Sequence, residues 1–487
     1  MSLLALAGTN SATGGYDIAN SLKFESDNAE YLMAEGRSQG NQQTWTFSIW
    51  LKRTEVENGF VAQYIMSAGS DGKLSLYFRD DASYPGDQIF IYMDEGNSQK
   101  WIGRVNEAFR DTSAWYHLVF SCDTTDSTAT DRTKLYINGE RRTITYNDTM
   151  NVNTSTRVGD NGGKFALGAR IGTPGYNFNG YMAEAVLVDG SALTPTSFGK
   201  YDPVSGIWKP KDVSDLSLGT TGFHMNFDDS SNVGAVQRGN NGGNFDKYNL
   251  SAADQATDTP TNNFCIMNKL NRTNGNIKNQ EGGTKVTTDG GSGWCSMLGT
   301  MGVMRGKWYW ESQRMSTGTP NDVIIGIVGS EDAYIPFNTA ANYYIGNVAT
   351  TSSIGYYQKT EGQEGSVING VSMNFSSGAG DTIMFGLDMD NNKMYFGLNG
   401  TWLATNGADS IGGNPARAST LHADFDGEFV LPGVSVYQGN NMTINFGGYA
   451  AYTISTPETD ANGYGTFEYE PPSGYYALCT KNLEEFG

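Results

Sequence analysis

The sequence predicts an all-β protein, with two antiparallel β-sandwiches joined by an irregular connector and followed by an extended C-terminal tail. Three observations carry this reading. Aromatic residues make up 12% of the 487 positions and charged residues only 17%, while 62 glycines punctuate the chain. Asn, Thr, Ser and Tyr are abundant and long stretches rich in Ala, Leu, Glu and Lys are missing, a balance that suits short strands and polar turns. Apolar residues also recur at every second position in many short runs, the period of a strand. The length exceeds what one core organises, so two or three domains are expected.

MSLLALAGTNSATGG has a short apolar run but no basic segment before it, so it does not read as a signal peptide, and residues 1–20 are expected as an N-terminal arm. The first domain is expected over 21–201. Its strand signals begin at SLKF (21–24) and YLM (31–33). In WTFSIWLKR (45–53), Trp45, Phe47, Ile49 and Leu51 alternate with Thr46, Ser48, Trp50 and Lys52, as in a strand with one buried face. KLSLYF (73–78), QIFIYM (88–93), WYHLVFSCD (115–123), KLYIN (134–138) and MAEAVLVDG (182–190) continue the pattern. One helical turn is expected in 193–202, with Thr194 as cap and Pro195 at the first helical position.

Residues 202–262 read as a connector, since Pro203, Pro210, Pro260 and RGNNGGN (238–244) interrupt regular structure, although GFHMNF (222–227) still alternates. The second domain is expected over 263–448, with strands at GKWYWESQ (306–313), DVIIGIVG (322–329), YYIG (343–346), DTIMFGLDMD (381–390), KMYFGL (393–398) and NMTINFGG (441–448). Residues 449–487 form the tail, where Pro471 and Pro472 forbid regular pairing. KLYINGE (134–140) and KMYFGLNGTW (393–402) echo each other, and the Asn-Gly in each predicts a type I′ hairpin.

The balance of 32 basic and 52 acidic residues gives a net charge of −20, which argues against binding to phosphate backbones or anionic lipid. No apolar run approaches the roughly 20 residues of a membrane-spanning helix. Cys122, Cys265, Cys295 and Cys479 are widely spaced without a CxxC pair. Bridges are open to them, but lone buried thiols suit a chain without an export signal.

Candidate chemistry is sparse. The three histidines are His117, His224 and His422, and no HExxH, GxSxG or P-loop pattern occurs, so no enzymatic activity is expected. His117 alternates with strand neighbours and reads as a packed residue. In LDMDNN (387–392), Asp388, Asp390, Asn391 and Asn392 offer hard oxygens suited to calcium, or simply a tight turn in which Asn accepts positive φ. Asp123, Asp126 and Asp131 carry the same ambiguity, and no other cofactor is expected. Aromatics in Gly- and Asn-rich surroundings are candidates for glycan or partner binding: Trp294, Tyr343, Tyr344, Tyr356, Tyr357 and Trp402.

WTFSIWLKR, SAWYHLVFSCDTT (113–125), KLYINGE and GYMAEAVLVDGSALTP (180–195) together resemble a laminin-G domain of the concanavalin A-like, jelly-roll type. GKWYWE (306–311), GDTIMFGLDMDNNKMYFGLNGTW (380–402) and VSVYQGNNMTINFG (434–447) resemble a SPRY domain, another two-sheet sandwich. With GIWKPK (206–211), DTPTNNF (258–264) and PPSGYYALCT (471–480), the whole from 21 to 483 resembles virion proteins of tailed bacteriophages. The resemblance implies a surface appendage (tail fibre, tail tip or head fibre) recognising a host-surface glycan or receptor. Its alternative is a capsid decoration protein that stabilises the head. It also implies other virion proteins as partners, a homo-oligomer for which a trimer suits a fibre, and assembly in the host cytoplasm onto the particle surface.

Overall fold

A computed structural model describes residues 15–487, except 57–60, 70–72, 82, 96–97, 173–175, 240–242, 273–276, 289–293, 315–322, 330–343, 350–353, 360–379, 405–408, 417, 421–426 and 438. The N-terminal arm expected over 1–20 therefore lies mostly outside the described residues. Two compact units divide the chain, one over Ala12–Thr261 and the other over Asn262–Gly487.

In the first unit, sheet I runs in the order Glu140–Arg141, Thr133–Ile137, Tyr116–Asp123, Thr44–Arg53, Gly180–Asp189, Ser21–Phe24, Gln255–Ala256, with Phe223–Met225 also paired to Gly180–Asp189. Sheet II runs Ile144–Tyr146, Ser98–Val105, Tyr84–Glu95, Leu74–Asp81, Val61–Ala68, Gly163–Leu167, Tyr31–Arg37, Asp246–Tyr248. All these pairs are antiparallel, and alternate residues of both sheets meet in one core that includes Trp45, Phe47, Leu76, Phe78, Ile91 and Leu118. Each fully buried side chain of this size contributes about 1.5–3 kcal/mol.

The alternation in WTFSIWLKR holds, but its expected single buried face does not. Thr46, Ser48, Trp50 and Lys52 are buried as thoroughly as the core set. The cause lies far along the chain, where residues 191–218 cross the outer face of sheet I. Leu193 N–H donates to Thr46 Oγ1 at 2.7 Å, and Val186, Val188, Phe198, Val213 and Leu218 form a second apolar layer. The predicted turn is there as Pro195–Ser197, but Thr194 Oγ1 meets Thr196 Oγ1 rather than capping.

The expected connector, 202–262, is likewise part of the first unit through residue 261. It supplies the strands Phe223–Met225, Asp246–Tyr248 and Gln255–Ala256. These strands are two or three residues long, too short for a period to show between the prolines and glycines.

In the second unit, sheet III runs Met267–Arg272, Trp294–Gly299, Val430–Tyr437, Val323–Gly329, Tyr344–Ala349, Ile354–Lys359. Sheet IV runs Ile277–Gln280, Lys285–Thr288, Asn441–Asn445, Lys307–Arg314, Thr382–Asp388, Lys393–Leu398, Thr401–Trp402, with Ala418–Thr420 on Lys393–Leu398. Trp308, Trp310, Phe385 and Val434 are among the core residues these sheets share.

The C-terminal segment is more ordered than an extended tail. Tyr476–Ala477 pairs in parallel with Lys307–Arg314, and Thr480–Phe486 is an α-helix ending at Gly487. Glu311, buried on sheet IV, fastens this segment. Its Oε1 accepts from Tyr309 Oη (2.8 Å) and Tyr469 N (2.8 Å), and its Oε2 from Tyr452 Oη (2.8 Å) and Glu468 N (2.9 Å). All four cysteines are buried free thiols.

The two Asn-Gly stretches are two-residue hairpins of the same kind. Ile137 pairs with Glu140 around Asn138 (φ 50) and Gly139 (φ 84); Leu398 pairs with Thr401 around Asn399 (φ 46) and Gly400 (φ 81). Each Asn is also tied to the first residues of the preceding strand. Asn138 N–H donates to His117 O and its Oδ1 accepts from His117 N; Asn399 makes the same two bonds with Thr382. An aromatic ring lies on each glycine, Trp208 on Gly139 and Tyr469 on Gly400.

Candidate functional site

The LDMDNN oxygens are committed to a four-residue turn between Asp388 and its strand partner Lys393. Asp388 Oδ1 accepts from Asn391 N (3.0 Å), and its Oδ2 accepts from Asn391 Nδ2 (2.9 Å) and pairs with Lys307 Nζ (3.1 Å). Asp390 Oδ1 accepts from Gly306 N at 2.8 Å, and Asn392 takes the positive φ of 53°. These oxygens face N–H donors rather than one shared centre, which fits a turn and not calcium. The second acidic cluster behaves alike: Asp131 pairs with Arg141 at 2.6 Å, and Asp123 Oδ1 accepts from Thr125 N and Oγ1. Among the described residues no group of three or more His, Cys, Asp and Glu is placed to hold a metal.

Of the aromatic candidates, Trp402 is corrected to a packed residue. It is 8% exposed and meets Tyr309 edge-on at 6.3 Å, within a cluster that includes Phe467 and Tyr475 from the C-terminal segment. Its position just past a turn suggested exposure, but the C-terminal segment covers that face of sheet IV. Trp294 is half-buried beside its cross-strand neighbour Tyr437, with ring centroids 5.4 Å apart. Tyr344, Tyr356 and Tyr357 lie on paired strands, Tyr357 opposite Gly346 and Tyr356 opposite Asn347. Their side chains, Tyr343 and His422 lie outside the described residues.

His117 is packed. Trp50 on sheet I and Trp208 from the short pair Gly199–Tyr201/Trp208–Pro210 lie nearly parallel to it, and burial alone pushes its pKa from 6.5 to about 3. Trp208 Nε1–H donates to His117 Nδ1 at 2.9 Å; indole has no acceptor, so the proton sits on Nε2, which donates to Ser48 Oγ at 2.9 Å. His224 contacts Glu184 at 2.7 Å, and Glu184 also accepts from Tyr16 Oη at 3.3 Å. The Ser48 hydroxyl beside His117 accepts in this tautomer rather than being activated, and both side chains are buried.

Sheet II carries the most suggestive surface. Its core set is Leu74, Leu76 and Phe78 on one strand and Ile89, Ile91 and Met93 on the next. The alternate positions, which face outward, are aromatic where polar residues are the usual choice. Tyr64, Tyr77, Phe90, Arg104 and Thr145 stand directly opposite one another across five strands. Tyr64 stacks on Tyr77 (4.7 Å, 12°) and Tyr77 on Phe90 (5.8 Å, 25°), while Tyr84 meets Phe90 edge-on at 5.0 Å.

Half-buried Tyr84, Tyr92 and Tyr176 rim this row. Arg79 lies 5.0 Å and Arg104 4.9 Å from the Tyr84 ring, so two guanidinium groups flank one aromatic face. Burial raises the Tyr64 and Tyr77 phenols above their ordinary range and keeps them as neutral hydrogen-bonding groups. No single motif announces this row. Its signal is the alternate set of YIMSA, LSLYFRD and QIFIYM, visible once the core set is assigned.

A family model described as the concanavalin A-like lectin/glucanases superfamily matches residues 26–197. The matched stretch is lectin-like. It covers most strands of sheets I and II, including the aromatic row, and agrees with the sandwich described above. Among solved structures, the chain is similar to the SPRY domain of human HERC1, at 18% identity over 37% of this chain and 96% of that one, with a TM-score of 0.27. It is similar to the TRIM65 PSpry domain at 13% identity, over 37% of this chain and 91% of that one, with a TM-score of 0.27. No curated protein matches the sequence.

Proposed function

We propose that this chain is a surface appendage of a bacteriophage virion, a tail fibre, tail tip or head fibre, which recognises a host-surface glycan or receptor through the outward face of sheet II. The observation that supports this most is the half-buried rim of Tyr84, Tyr92, Arg79 and Arg104, which borders the buried aromatic row Tyr64–Tyr77–Phe90 in a lectin-like unit. Aromatic faces suit the CH faces of sugars, and guanidinium forks suit hydroxyl and carboxylate groups. On a chain of net charge −20, Arg104 beside the Tyr84 ring offers this face a cation for acidic sugars, while Arg79 is paired with Asp81.

In this reading the appendage is a non-enzymatic homo-oligomer, with neighbouring virion proteins as its other partners. The test is competition: purified protein added to host cells lowers adsorption of the particle that carries it. Protein that sits on capsid facets, binds no cell and leaves adsorption unchanged favours the capsid-decoration alternative. Its presence in infected lysate but never in purified particles sinks the virion reading.

A further inference from the structure

Two lysines on the outer face of sheet I are buried. Lys23 and Lys52 flank Tyr181 on neighbouring strands, each directly opposite it in register. Both point their Nζ at carboxylates from one short segment: Lys23 reaches Asp254 Oδ1 at 2.9 Å, and Lys52 reaches Asp258 Oδ2 at 2.7 Å. Ser251 holds Asp254 from the other side, its N–H and hydroxyl both donating to Oδ2. Lys23 Nζ also contacts a second buried carboxyl, Glu30, at 3.1 and 3.0 Å, and Asp258 Oδ1 accepts from the indole N–H of Trp115 at 3.0 Å.

We infer that Lys23 and Asp254 are joined by an autocatalytic isopeptide bond, with Glu30 as the proton-transferring group. One buried ammonium facing two buried carboxyls leaves an uncompensated charge, which is costly in a low-dielectric interior. Burial raises the Glu30 carboxyl above its ordinary range, ahead of the opposing pull of Lys23, so Glu30 is suited to hold the extra proton. Glu30 is fixed in place by Glu25 N–H (2.7 Å) and Asn28 Nδ2 (3.0 Å), so it cannot turn away from the pair.

The reaction balances without an oxidant. The Lys23 ammonium passes a proton to the Asp254 carboxylate, giving an amine and a neutral acid in contact. The nitrogen lone pair attacks Asp254 Cγ and forms the C–N bond. Protonated Glu30 gives its proton to the departing hydroxyl and takes one from that nitrogen, the C–O bond breaks, and water leaves. An ammonium and a carboxylate become one neutral amide plus water, which removes the buried ion pair. Holding the partners in contact supplies the effective concentration that condensation lacks in water. The bond would clasp the first strand of the unit to the segment that closes it.

Mass spectrometry of the intact, denatured full chain tests this directly. The expected result is a mass lower by one water, and a proteolytic digest containing a branched peptide that joins Lys23 to Asp254. Lys23→Arg and Glu30→Gln should each restore the full mass. A wild-type chain at full mass after prolonged incubation overturns the inference, whether or not the variants fold. So does a water loss that persists in Lys23→Arg, or one that maps to Lys52 and Asp258.

Discussion

The outward faces of sheet II and sheet IV are both rich in aromatics, yet they are finished differently. On sheet IV, Tyr309, Met384, Tyr395 and Trp402 are sealed beneath the C-terminal segment, and Glu311 accepts from the Tyr309 phenol of the sheet and from one phenol and two backbone N–H groups of that seal. On sheet II, Tyr64, Tyr77 and Phe90 are buried as deeply as Trp402, but the rim of Tyr84, Tyr92, Arg79 and Arg104 stays half-buried. Aromatic content alone therefore does not mark a binding face. What separates the two is a polar hub that fixes a covering segment, present on sheet IV and not seen on sheet II among the described residues.

The largest way to break this contrast is to remove the hub. Glu311→Ala leaves buried donors without their acceptor and should cost about 3 kcal/mol or more, read as a fall in the denaturant midpoint. It should also speed proteolysis of residues 449–487. A stable variant with an intact C-terminal segment would mean that apolar packing alone holds the seal.

Next come the twin hairpins. Gly139→Ala and Gly400→Ala both place a Cβ at positive φ, 2.5 Å from the Trp208 ring in the first and 2.9 Å from the Tyr469 ring in the second. Costs of about 2 and 1 kcal/mol are expected, with Gly139 the larger because its neighbour is the indole that is bonded to His117. Equal or negligible costs would show that the rings move aside freely.

His117 gives a pH-dependent effect. Its folded pKa is about 3 against an ordinary 6.5, so above 6.5 it is neutral in both states and adds no slope. As pH falls below 6.5 the unfolded state takes up the proton and the folded state does not. Stability attributable to this group is then lost down to about pH 3, by up to about 1.4 kcal/mol per pH unit. His117→Gln should flatten the acid limb of the stability curve between those values. An unchanged slope would contradict a buried neutral imidazole.

Much of the fold is legible in the sequence, and the reasons it stops being legible are physical. Alternation in WTFSIWLKR, WYHLVFSCD and DTIMFGLDMD shows where strands lie because each presents a continuous apolar set to a core. The second burial of Thr46, Ser48, Trp50 and Lys52 is invisible locally, since it is made by residues 190–258. Three-residue strands such as Asp246–Tyr248 are too short for a period, and Asp388 and Asp390 look like ligands until their N–H partners are located. The helix Thr480–Phe486 had one available signal, Gly487 after LEEF, which the neighbouring prolines obscured. Trp402 was misplaced because the segment that covers it begins some sixty residues later. The aromatic row of sheet II is written in the sequence, but Tyr77 and Phe90 pass for core until the other face is assigned.

The smallest expected effect on stability is the most direct test of the account. Tyr84→Ala with Arg104→Ala alters only rim contacts and should shift stability by about 1 kcal/mol or less. The decisive measurement is binding of wild type and this double variant to an array of host-surface polysaccharides, acidic ones included. The account predicts that the wild type binds and that the folded variant loses at least tenfold in affinity. A variant that binds as tightly as the wild type would contradict the assignment of recognition to sheet II.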